Sequence, residues 1–464
     1  MKNIMFFCIP AHGHTNPMLP VAAELVKRGN HVRFYSFDEF EEKIKKTGAE
    51  YVSCSEYLSE VSEEEMARLM QVSNTEMTIQ DIRTTLKMND FLEAEFKSFQ
   101  PDVVYTDAVC FWGKLNAWKH HVPMVCSTST FAFNQMSSKY MKHSGAEIKD
   151  MLTGLPKISK ELKTLRPYGY EVKSALQLVQ NDNQTDTNVY TSRRFQPFAE
   201  SFTGHYNFVG PSVFSELKPQ KENARPLIYI SLGTVINDRP DFYQKCIAAF
   251  RDMDVDVIIS RGQYVDAKKL GDLPDNIQTF ERVDQLEVLS KADAFITHCG
   301  MNSVSESLYM ATPMALYPQT GEQFAVARRA EEIGAGIPLT DDSVEGIKKT
   351  VTAILNDKKY AEAAKVCSDD FRSCSGAKGA ADFIENAPHT CDDVDPIGEM
   401  NKVNRVWQIA FPIFATAAAI TLVLTVSVWL GIAVGLGLGV FSYPLSMRVQ
   451  QWRYNAVVKK RKLK

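Results

Sequence analysis

One stretch in the second half of the chain constrains the fold more than any other. A short apolar run (292–296), a tight loop, a helical pattern (303–310) and a second apolar run (313–317) follow one another directly. This order is typical of a strand–loop–helix–strand unit in a parallel sheet. The stretch therefore predicts an α/β domain.

The loop of this unit carries groups that suit a phosphorylated ligand. Gly300 allows a tight turn that opens the helix, so backbone N–H groups and the positive end of the helix dipole face whatever lies above them. His298 and Ser303 add side-chain donors, and Glu306, one turn into the helix, can accept hydrogen bonds from sugar hydroxyls. The loop therefore predicts a site for a nucleotide diphosphate and its attached sugar.

The same strand–loop–helix–strand order occurs near the start of the chain. An apolar run (4–9), a loop (11–17), a helical pattern (18–28) and a further strand pattern (31–36) form a βαβ unit, with Gly29 ending the helix. Two such regions predict two doubly wound sheets that face each other across a cleft, with ligands at the carboxyl ends of the strands. The predicted boundaries are 1–205 and 206–385 for the two domains, 386–405 for an acidic linker, 406–447 for a membrane segment and 448–464 for a basic tail.

Composition narrows the classes of partner. The 464 residues are too many for one ordinary core. Residues 448–464 hold seven basic and no acidic residues, so the net charge of −4 leaves −11 on the rest of the chain, and an acidic body argues against nucleic acid as the main partner. Nine cysteines without a CxxC pair indicate free thiols in a reducing compartment. No secretory signal precedes the first strand pattern, so we expect the two domains on the cytoplasmic face.

Residues 406–447 contain no Asp, Glu, Lys, Arg or His. As one straight helix they would be about 63 Å long, roughly twice the hydrocarbon core of a bilayer. A hairpin of two short spans fits this length and returns the basic tail to the cytoplasm, as the positive-inside rule favours. The alternative is one span over about 408–430, followed by a Gly-rich re-entrant or interfacial piece. Membrane lipid is thus a predicted partner.

Three motifs in order resemble the family-one UDP-sugar glycosyltransferases, and within them the bacterial macrolide-type branch. They are Ala11-His12-Gly13-His14-Thr15-Asn16-Pro17, Ser231-Leu232-Gly233-Thr234, and His298-Cys299-Gly300 with its continuation to Glu322-Gln323. The resemblance covers about residues 1–385. It implies a GT-B fold, a UDP-sugar donor bound by the second domain, an acceptor bound by the first, and inverting transfer without a metal.

Two residues of the first domain are the candidate catalytic pair. The resemblance assigns the general base to His14, and a base with a pKa near neutrality suits deprotonation of a hydroxyl. Asp107 follows another strand, where a carboxylate can orient the His ring as in a triad. The alternatives are that His12 is the base, that His14 or His12 only shapes the loop, and that Asp107 caps the helix after it.

The candidate donor-binding residues lie in the second domain. Gly233 allows close backbone approach to the phosphates and Thr234 can donate to them. Arg282 stands where plant members have Trp, and a guanidinium can also stack on a base. Glu322 stands where the family has Asp beside the sugar. The full predicted set is Ser231, Gly233, Thr234, Arg282, Val283, Gln285, His298, Gly300, Asn302, Ser303, Glu306, Glu322 and Gln323.

No metal site is predicted. Asp252, Asp254 and Asp256 form a DxDxD pattern, but the pattern precedes a strand, at the wrong end of the sheet for catalysis, and indicates a solvated turn. We expect no cofactor, because the UDP-sugar is a co-substrate.

The sequence predicts transfer of a hexose, UDP-glucose being the expected donor type, to a lipophilic hydroxylated acceptor. Two alternatives remain open: a transferase that builds a membrane glycolipid or cell-wall precursor, and a non-catalytic membrane-anchored partner that binds UDP-sugar. The acceptor and the oligomeric state are not predicted.

Overall fold

The computed structural model describes residues 1–58, 74–172, 177–178, 180–213, 215–233, 237–425 and 428–462. Within these ranges two parallel sheets, each flanked by helices, confirm the prediction of two doubly wound α/β domains.

The first sheet has the order β3-β2-β1-β4-β5-β6-β7, and every neighbouring pair is parallel. Its central strands read as unbroken apolar runs because helices cover both faces. The strands are β1 (Asn3–Phe7), β2 (His31–Ser36), β3 (Glu50–Ser53), β4 (Val103–Asp107), β5 (Met124–Thr128), β6 (Thr187–Val189) and β7 (Tyr206–Phe208).

The second sheet has the order β10-β9-β8-β11-β12-β13 and is also parallel throughout. Its strands are β8 (Leu227–Ser231), β9 (Asp256–Ser260), β10 (Ile277–Phe280), β11 (Ala294–Thr297), β12 (Met314–Leu316) and β13 (Gly336–Pro338). In each sheet the strand order reverses direction once, between β1 and β4 and between β8 and β11. Such a switch point opens a crevice at the carboxyl ends of the strands.

Helices of the first domain are α1 (His12–Lys27), α2 (Glu41–Lys45), α3 (Asn74–Lys87), α4 (Asn89–Phe99), α5 (Phe111–Lys119) and α6 (Gly145–Leu162). Helices after β8 are α7 (Pro240–Phe250), α8 (Gln285–Lys291), α9 (Met301–Tyr309), α10 (Gly321–Glu332), α11 (Val344–Asn356), α12 (Lys358–Ser373), α13 (Gly376–Glu385), α14 (Pro396–Thr425) and α15 (Val428–Lys462). Short 3-10 helices cover Asp38–Phe40, Ser55–Tyr57, Ser137–Tyr140, Lys163–Tyr168, Ala199–Ser201 and Ala267–Leu270.

Helix α1 begins earlier than the sequence suggested. Residues 11–17 were predicted to form a loop, but the helix starts at His12 and continues through Pro17. Its buried face, which includes Met18, Val21 and Leu25, packs into the core of the first domain. This burial outweighs the backbone hydrogen bond that proline removes. Gly29, with φ of +86°, follows the helix as predicted.

The two sheets divide the chain differently from the predicted boundaries. Residues 206–208 form the last strand of the first sheet, although 205 was the expected end of that domain. Helix α13, assigned to the second domain, packs against α1, and its Ala380, Ala381 and Ile384 belong to the first hydrophobic core. The first domain is thus completed by residues from far along the chain.

The chain forms two long helices, α14 and α15, which pack against each other; α14 begins at Pro396, inside the segment 386–405 that was predicted to be a linker. Their pairing has the form of a helical hairpin rather than of the single-span alternative. The glycines at 431, 435, 437 and 439 lie within α15 rather than at the turn, and the basic tail is helical to residue 462. Among the residues that the structure describes, no helix meets the combined length and hydropathy needed to cross a bilayer, so the predicted membrane segment is unsupported by this structure.

Candidate active site

The candidate base and its partner lie at the switch point of the first sheet. His14 is in the first turn of α1, directly after β1, and Asp107 is the last residue of β4. His14 Nδ1 lies 2.9 Å from Asp107 Oδ2, and the Asp107 side chain is almost fully buried. The other Asp107 oxygen accepts a hydrogen bond of 3.0 Å from the Val109 backbone N–H. Asp107 therefore does not cap α5, whose N-cap residue has no side-chain bond.

The surroundings of His14 raise the pKa of its imidazole ring above the ordinary value. Burial by itself lowers the pKa of His14, but the charge and hydrogen bond of Asp107, with a smaller effect of Glu322, raise it above its ordinary value of 6.5. His12 differs: its Nε2 lies 3.4 Å from Glu39, and burial lowers its pKa. Of the two histidines in the motif, only His14 is paired with a buried carboxylate.

The candidate phosphate loop lies at the switch point of the second sheet. Gly233, with φ of +78°, and Gly300 both lie against the His298 ring, since a Cβ at either would come within 2.6 Å of Nε2. Burial lowers the pKa of His298 to about 4, so the ring is neutral near pH 7. Its Nδ1 is buried and has no partner among the described residues. Thr234 lies outside the described residues.

The start of α9 and the start of α8 share a polar network. Gln285 donates to Glu306 Oε2 at 2.6 Å and lies 3.4 Å from Ser303 Oγ, while the Tyr229 hydroxyl donates to Gln285 at 3.1 Å. Burial raises the pKa of Glu306, and the bond from Gln285 opposes this. The network thus holds a carboxylate one turn into the helix, where the sequence placed a sugar-binding acceptor.

Residues 282–285 are arranged partly as predicted. Val283 packs against the core of the second domain, and Asp284 caps α8 by accepting from the Glu287 backbone N–H. The Arg282 guanidinium is exposed and donates to the Gln263 side chain at 3.1 Å. Arg282 is near enough to His12 of the first domain for its charge to lower the pKa of that ring.

Glu322 and Gln323 lie in the first turn of α10. Glu322 is exposed and is close enough to His14 to raise its pKa. The Gln323 side-chain oxygen accepts from the Gln319 and Thr320 backbone N–H groups, at 2.8 and 3.2 Å, and closes a capping box with Thr320. Its oxygen is therefore engaged by the helix end, which the sequence did not predict.

The two domains bring these groups to one cleft. A Cβ at Gly13, beside His14, would lie 3.7 Å from Asn302 Nδ2 at the start of α9. Together with the effect of Glu322 on His14, this closeness puts the His14–Asp107 pair of the first domain opposite the candidate phosphate loop of the second.

Comparison with known proteins decides the family. A family profile described as "UDP-glucoronosyl and UDP-glucosyl transferase" matches residues 214–370. The NDP-glycosyltransferase YjiC of Bacillus licheniformis is 34% identical over 395 residues, which are 83% of this chain and 97% of the relative. The chain belongs to the UDP-glycosyltransferase family. It is accordingly an enzyme that transfers a glycosyl group.

Two further similarities agree with this family and with the predicted GT-B fold. Demethyllactenocin mycarosyltransferase of Streptomyces fradiae is 28% identical over 83% of this chain and 86% of the relative. The crystal structure of the glycosyltransferase of kitacinnamycin superposes with a TM-score of 0.71 and 25% identity, covering 83% of this chain and 98% of that one. The kitacinnamycin enzyme and YjiC are each matched over almost their full length. In each comparison about 17% of the present chain is unmatched, a stretch about as long as residues 386–464.

Three residues of the site were not predicted from the sequence. Ser129, just after β5, has its Oγ 3.3 Å from His14 Nδ1. Lys114 is buried in α5 and donates to the backbone oxygens of Ala108 and Leu178. Burial, and then the nearby Asp107 charge, raise the pKa of Asp81 on α3 to about 8. Because β5 is the neighbour of β4, the strand order alone would have indicated Ser129.

Asp252 and Asp254 of the DxDxD pattern are exposed and precede β9, as predicted, whereas Asp256 is the first residue of the strand. Among the described residues, no group of three or more His, Cys, Asp or Glu side chains is placed to hold a metal ion.

Proposed function

We propose that this glycosyltransferase moves a hexose from a UDP-sugar to a hydroxyl of a lipophilic small molecule, with inversion and without a metal ion. The observation that carries the proposal is the His14–Asp107 pair at one switch point, facing the glycine-lined His298 loop at the other. The family description supports a uridine nucleotide, and relatives named for demethyllactenocin and kitacinnamycin support a small-molecule acceptor.

In the proposed mechanism His14 is the general base. Donation of its Nδ1–H to Asp107 leaves Nε2 with a free lone pair, which takes the proton of the acceptor hydroxyl. The acceptor oxygen attacks the anomeric carbon as the bond from that carbon to the phosphate oxygen breaks. UDP leaves on the opposite face, so the configuration inverts, and Asp107 stabilises the imidazolium that forms.

The second domain would bind the donor. The N-terminus of α9, Ser303 and the neutral His298 ring would stabilise the charge that develops on the departing diphosphate, with Thr234 as a further candidate donor. Glu306, held by Gln285, would accept from the ribose. These groups offer hydrogen bonds without requiring a bound cation.

Glu322 and Gln323 would align the sugar. The exposed Glu322 carboxylate can accept from hydroxyls, whereas the Gln323 oxygen is engaged by the helix end, so the Gln323 amide N–H₂ group is the part that would donate to the sugar. A carboxylate beside an amide donor suits adjacent equatorial hydroxyls, as in a glucose-type donor. Arg282 would stack on the uracil ring of the donor, and the Val283 backbone would contact the edge of that ring.

The base assignment is tested by His14→Ala and Asp107→Asn with UDP-glucose and a panel of hydroxylated acceptors, with products read by mass. We expect His14→Ala to lose on the order of 10²–10⁴ in kcat, the usual contribution of a general base. The matched control is His12→Ala, which we expect to stay within about twofold, while UDP affinity stays unchanged in all three. Retention of more than about a tenth of the rate in His14→Ala would contradict the proposal.

The pH profile gives a second test. The neutral form of His14 is the active one, so kcat/KM falls as pH drops through its pKa. Asp107 holds this pKa above its ordinary value. We therefore expect Asp107→Asn to move the acid limb of the profile to lower pH while lowering its plateau. If the acid limb stays at the same pH in Asp107→Asn, Asp107 does not set the pKa of the general base.

We further propose that the α14–α15 hairpin holds the enzyme at a membrane, with the two α/β domains on the cytoplasmic face, where a lipophilic acceptor or a glycolipid precursor would be met. The proposal rests on the uncharged stretch 406–447 of the sequence. Fractionation of cells that express the full chain is the test, and we expect the protein in the membrane pellet after a high-salt wash. Full recovery in the supernatant would overturn it.

A further inference from the structure

The open end of the α14–α15 hairpin packs against a segment of the first domain that also reaches His14. Residues 129–140, which we call the bridge segment, follow β5 and begin at Ser129. Met136 of this segment is buried in a hydrophobic cluster with four residues of α14 and α15. These four are Ile397, Met400, Tyr454 and Val458.

Polar contacts hold the same interface. The Gln135 side chain donates to Asn401 Oδ1 at 2.9 Å. Near the C-terminus Arg461 donates to the Glu200 backbone oxygen at 3.1 Å and to the Asp393 carboxylate at 2.9 Å. The hairpin is therefore fixed to the first domain by apolar and polar contacts at several points.

The other side of the bridge segment contacts the second domain. The Tyr140 hydroxyl donates to Glu332 of α10 at 2.5 Å, and the Arg328 guanidinium lies 4.2 Å from the Tyr140 ring centroid. Phe131 is buried in the core of the second domain. Helix α10 also carries Glu322, the candidate sugar-binding carboxylate, at its opposite end.

The bridge segment thus touches the hairpin, the His14 ring and the donor-side helix. It contains one short 3-10 helix, Ser137–Tyr140, so its position depends on what packs against it and on hydrogen bonds such as that of Asn134 with Ser201. YjiC and the kitacinnamycin enzyme are matched almost in full without a stretch of this chain about as long as the hairpin and its linker.

We propose that the α14–α15 hairpin is a positioning element of the active site, which holds the bridge segment so that Ser129 and α10 set the geometry of His14 and the donor sugar. The proposal rests on the proposed transferase function. A misplacement of about 1 Å at a reacting centre can cost on the order of 10²-fold in rate. An interface that lies outside the cleft can therefore matter to turnover when it fixes a segment that reaches the base.

The test uses point variants of the full chain. Met400→Ser removes an apolar contact of the cluster, where Met400 is 6% exposed, and Asn401→Ala removes the bond from Gln135 without touching the core. We expect kcat to fall roughly 5- to 50-fold in Met400→Ser and less in Asn401→Ala. UDP affinity, measured by calorimetry, should stay within about twofold, because the phosphate loop is not part of the interface.

Two controls separate positioning from loss of folding. Met400→Leu keeps the volume and should restore kcat to within about twofold. Met447→Ser makes the same exchange at a residue of α15 that is 42% exposed, and should leave kcat unchanged. Equal UDP binding per mole in every variant shows equal folded fractions.

Each outcome has one meaning. Wild-type kcat in both Met400→Ser and Asn401→Ala, beside an inactive His14→Ala, overturns the positioning role and leaves the transferase proposal intact. A wild-type protein that neither transfers nor hydrolyses any UDP-sugar overturns both. If kcat falls only in proportion to the number of UDP sites per mole, the loss reflects a smaller folded fraction. The hairpin would then contribute to folding alone, which also overturns the positioning role.

Discussion

At the scale of single residues, the buried ammonium group of Lys114 joins two distant segments of the first domain. Lys114 is 1% exposed and donates to the backbone oxygens of Ala108 and Leu178, both at 2.8 Å. Burial lowers its pKa, while the electrostatic effects of the nearby Cys126 thiol and Asp107 carboxylate, in that order, oppose the shift. It thus ties the loop that follows Asp107 to the segment around residue 178.

We expect Lys114→Met to destabilise the first domain, because each carbonyl left without its donor in the interior costs about 1–3 kcal/mol. The melting temperature should fall by about 4 °C or more by calorimetry, with a smaller fall in Lys114→Arg. Lys97→Met, at an exposed position of α4, is the matched control and should shift by less than about 1 °C. Equal melting of Lys114→Met and wild type would show that the two carbonyls do not depend on the ammonium group for their stability.

His14 was predicted as the base from the family resemblance of its motif, and Asp107 as its partner from its place at the end of an apolar strand, where ligand-facing residues collect. Lys114 could not be predicted in this way. A lysine in a helical pattern reads as solvent-exposed, and only the fold shows that two carbonyls from distant segments meet at its side chain.

At the scale of elements, the β11–α9 turn depends on small residues around one ring. Cys299 has φ of +65°, and Gly300 and Gly233 lie so close to His298 that a methyl group would overlap the ring. The ring is neutral because burial lowers its pKa to about 4. The turn is therefore shaped to hold an uncharged imidazole beside the start of a helix.

Gly300→Ala should move the His298 ring, because its Cβ would lie 2.5 Å from Nε2. We expect UDP affinity to fall roughly tenfold, equivalent to about 1.4 kcal/mol, in a calorimetric titration. Gly145→Ala serves as control, since nothing lies within 4 Å of a Cβ there and Gly145 begins a helix. Unchanged UDP affinity in Gly300→Ala would place the diphosphate elsewhere.

Two strands of the second sheet were predicted closely, since β11 overlaps the apolar run 292–296 and β12 lies within the run 313–317. The start of α1 was missed because Pro17 reads as a loop residue. The side chains at 12 to 16 show no helical periodicity, and the buried apolar face that stabilises the helix lies at later positions of α1.

At the scale of the whole molecule, the chain crosses back from the second domain to complete the first. Arg28 at the end of α1 donates to Glu385 at 2.7 Å, to Asp382 at 2.5 Å and to the Lys378 backbone oxygen at 3.2 Å. The sequence predicted two domains in series, because a crossing of this kind leaves no local pattern; it becomes visible only through the packing of α13 on α1.

Arg28→Met should loosen this contact by about 1 kcal/mol, as expected for a partly exposed ion-pair network. Hydrogen–deuterium exchange over residues 376–385 should speed up severalfold, while β8–β13 stays as in wild type. Arg225→Met, which breaks a single exposed pair with Asp256, is the control and should leave 376–385 unchanged. Unaltered exchange in Arg28→Met would show that apolar packing alone holds α13.

The return of α13 also sets an order of events during synthesis. The outer face of α1 emerges from the ribosome hundreds of residues before the helix that covers it, whereas every strand and helix of the second sheet has been made by the time α13 follows. The second domain can thus reach its native state first, although it is translated last. Until then the first domain carries an uncovered apolar surface, and a ribosome that stalls within residues 210–375 leaves that surface exposed.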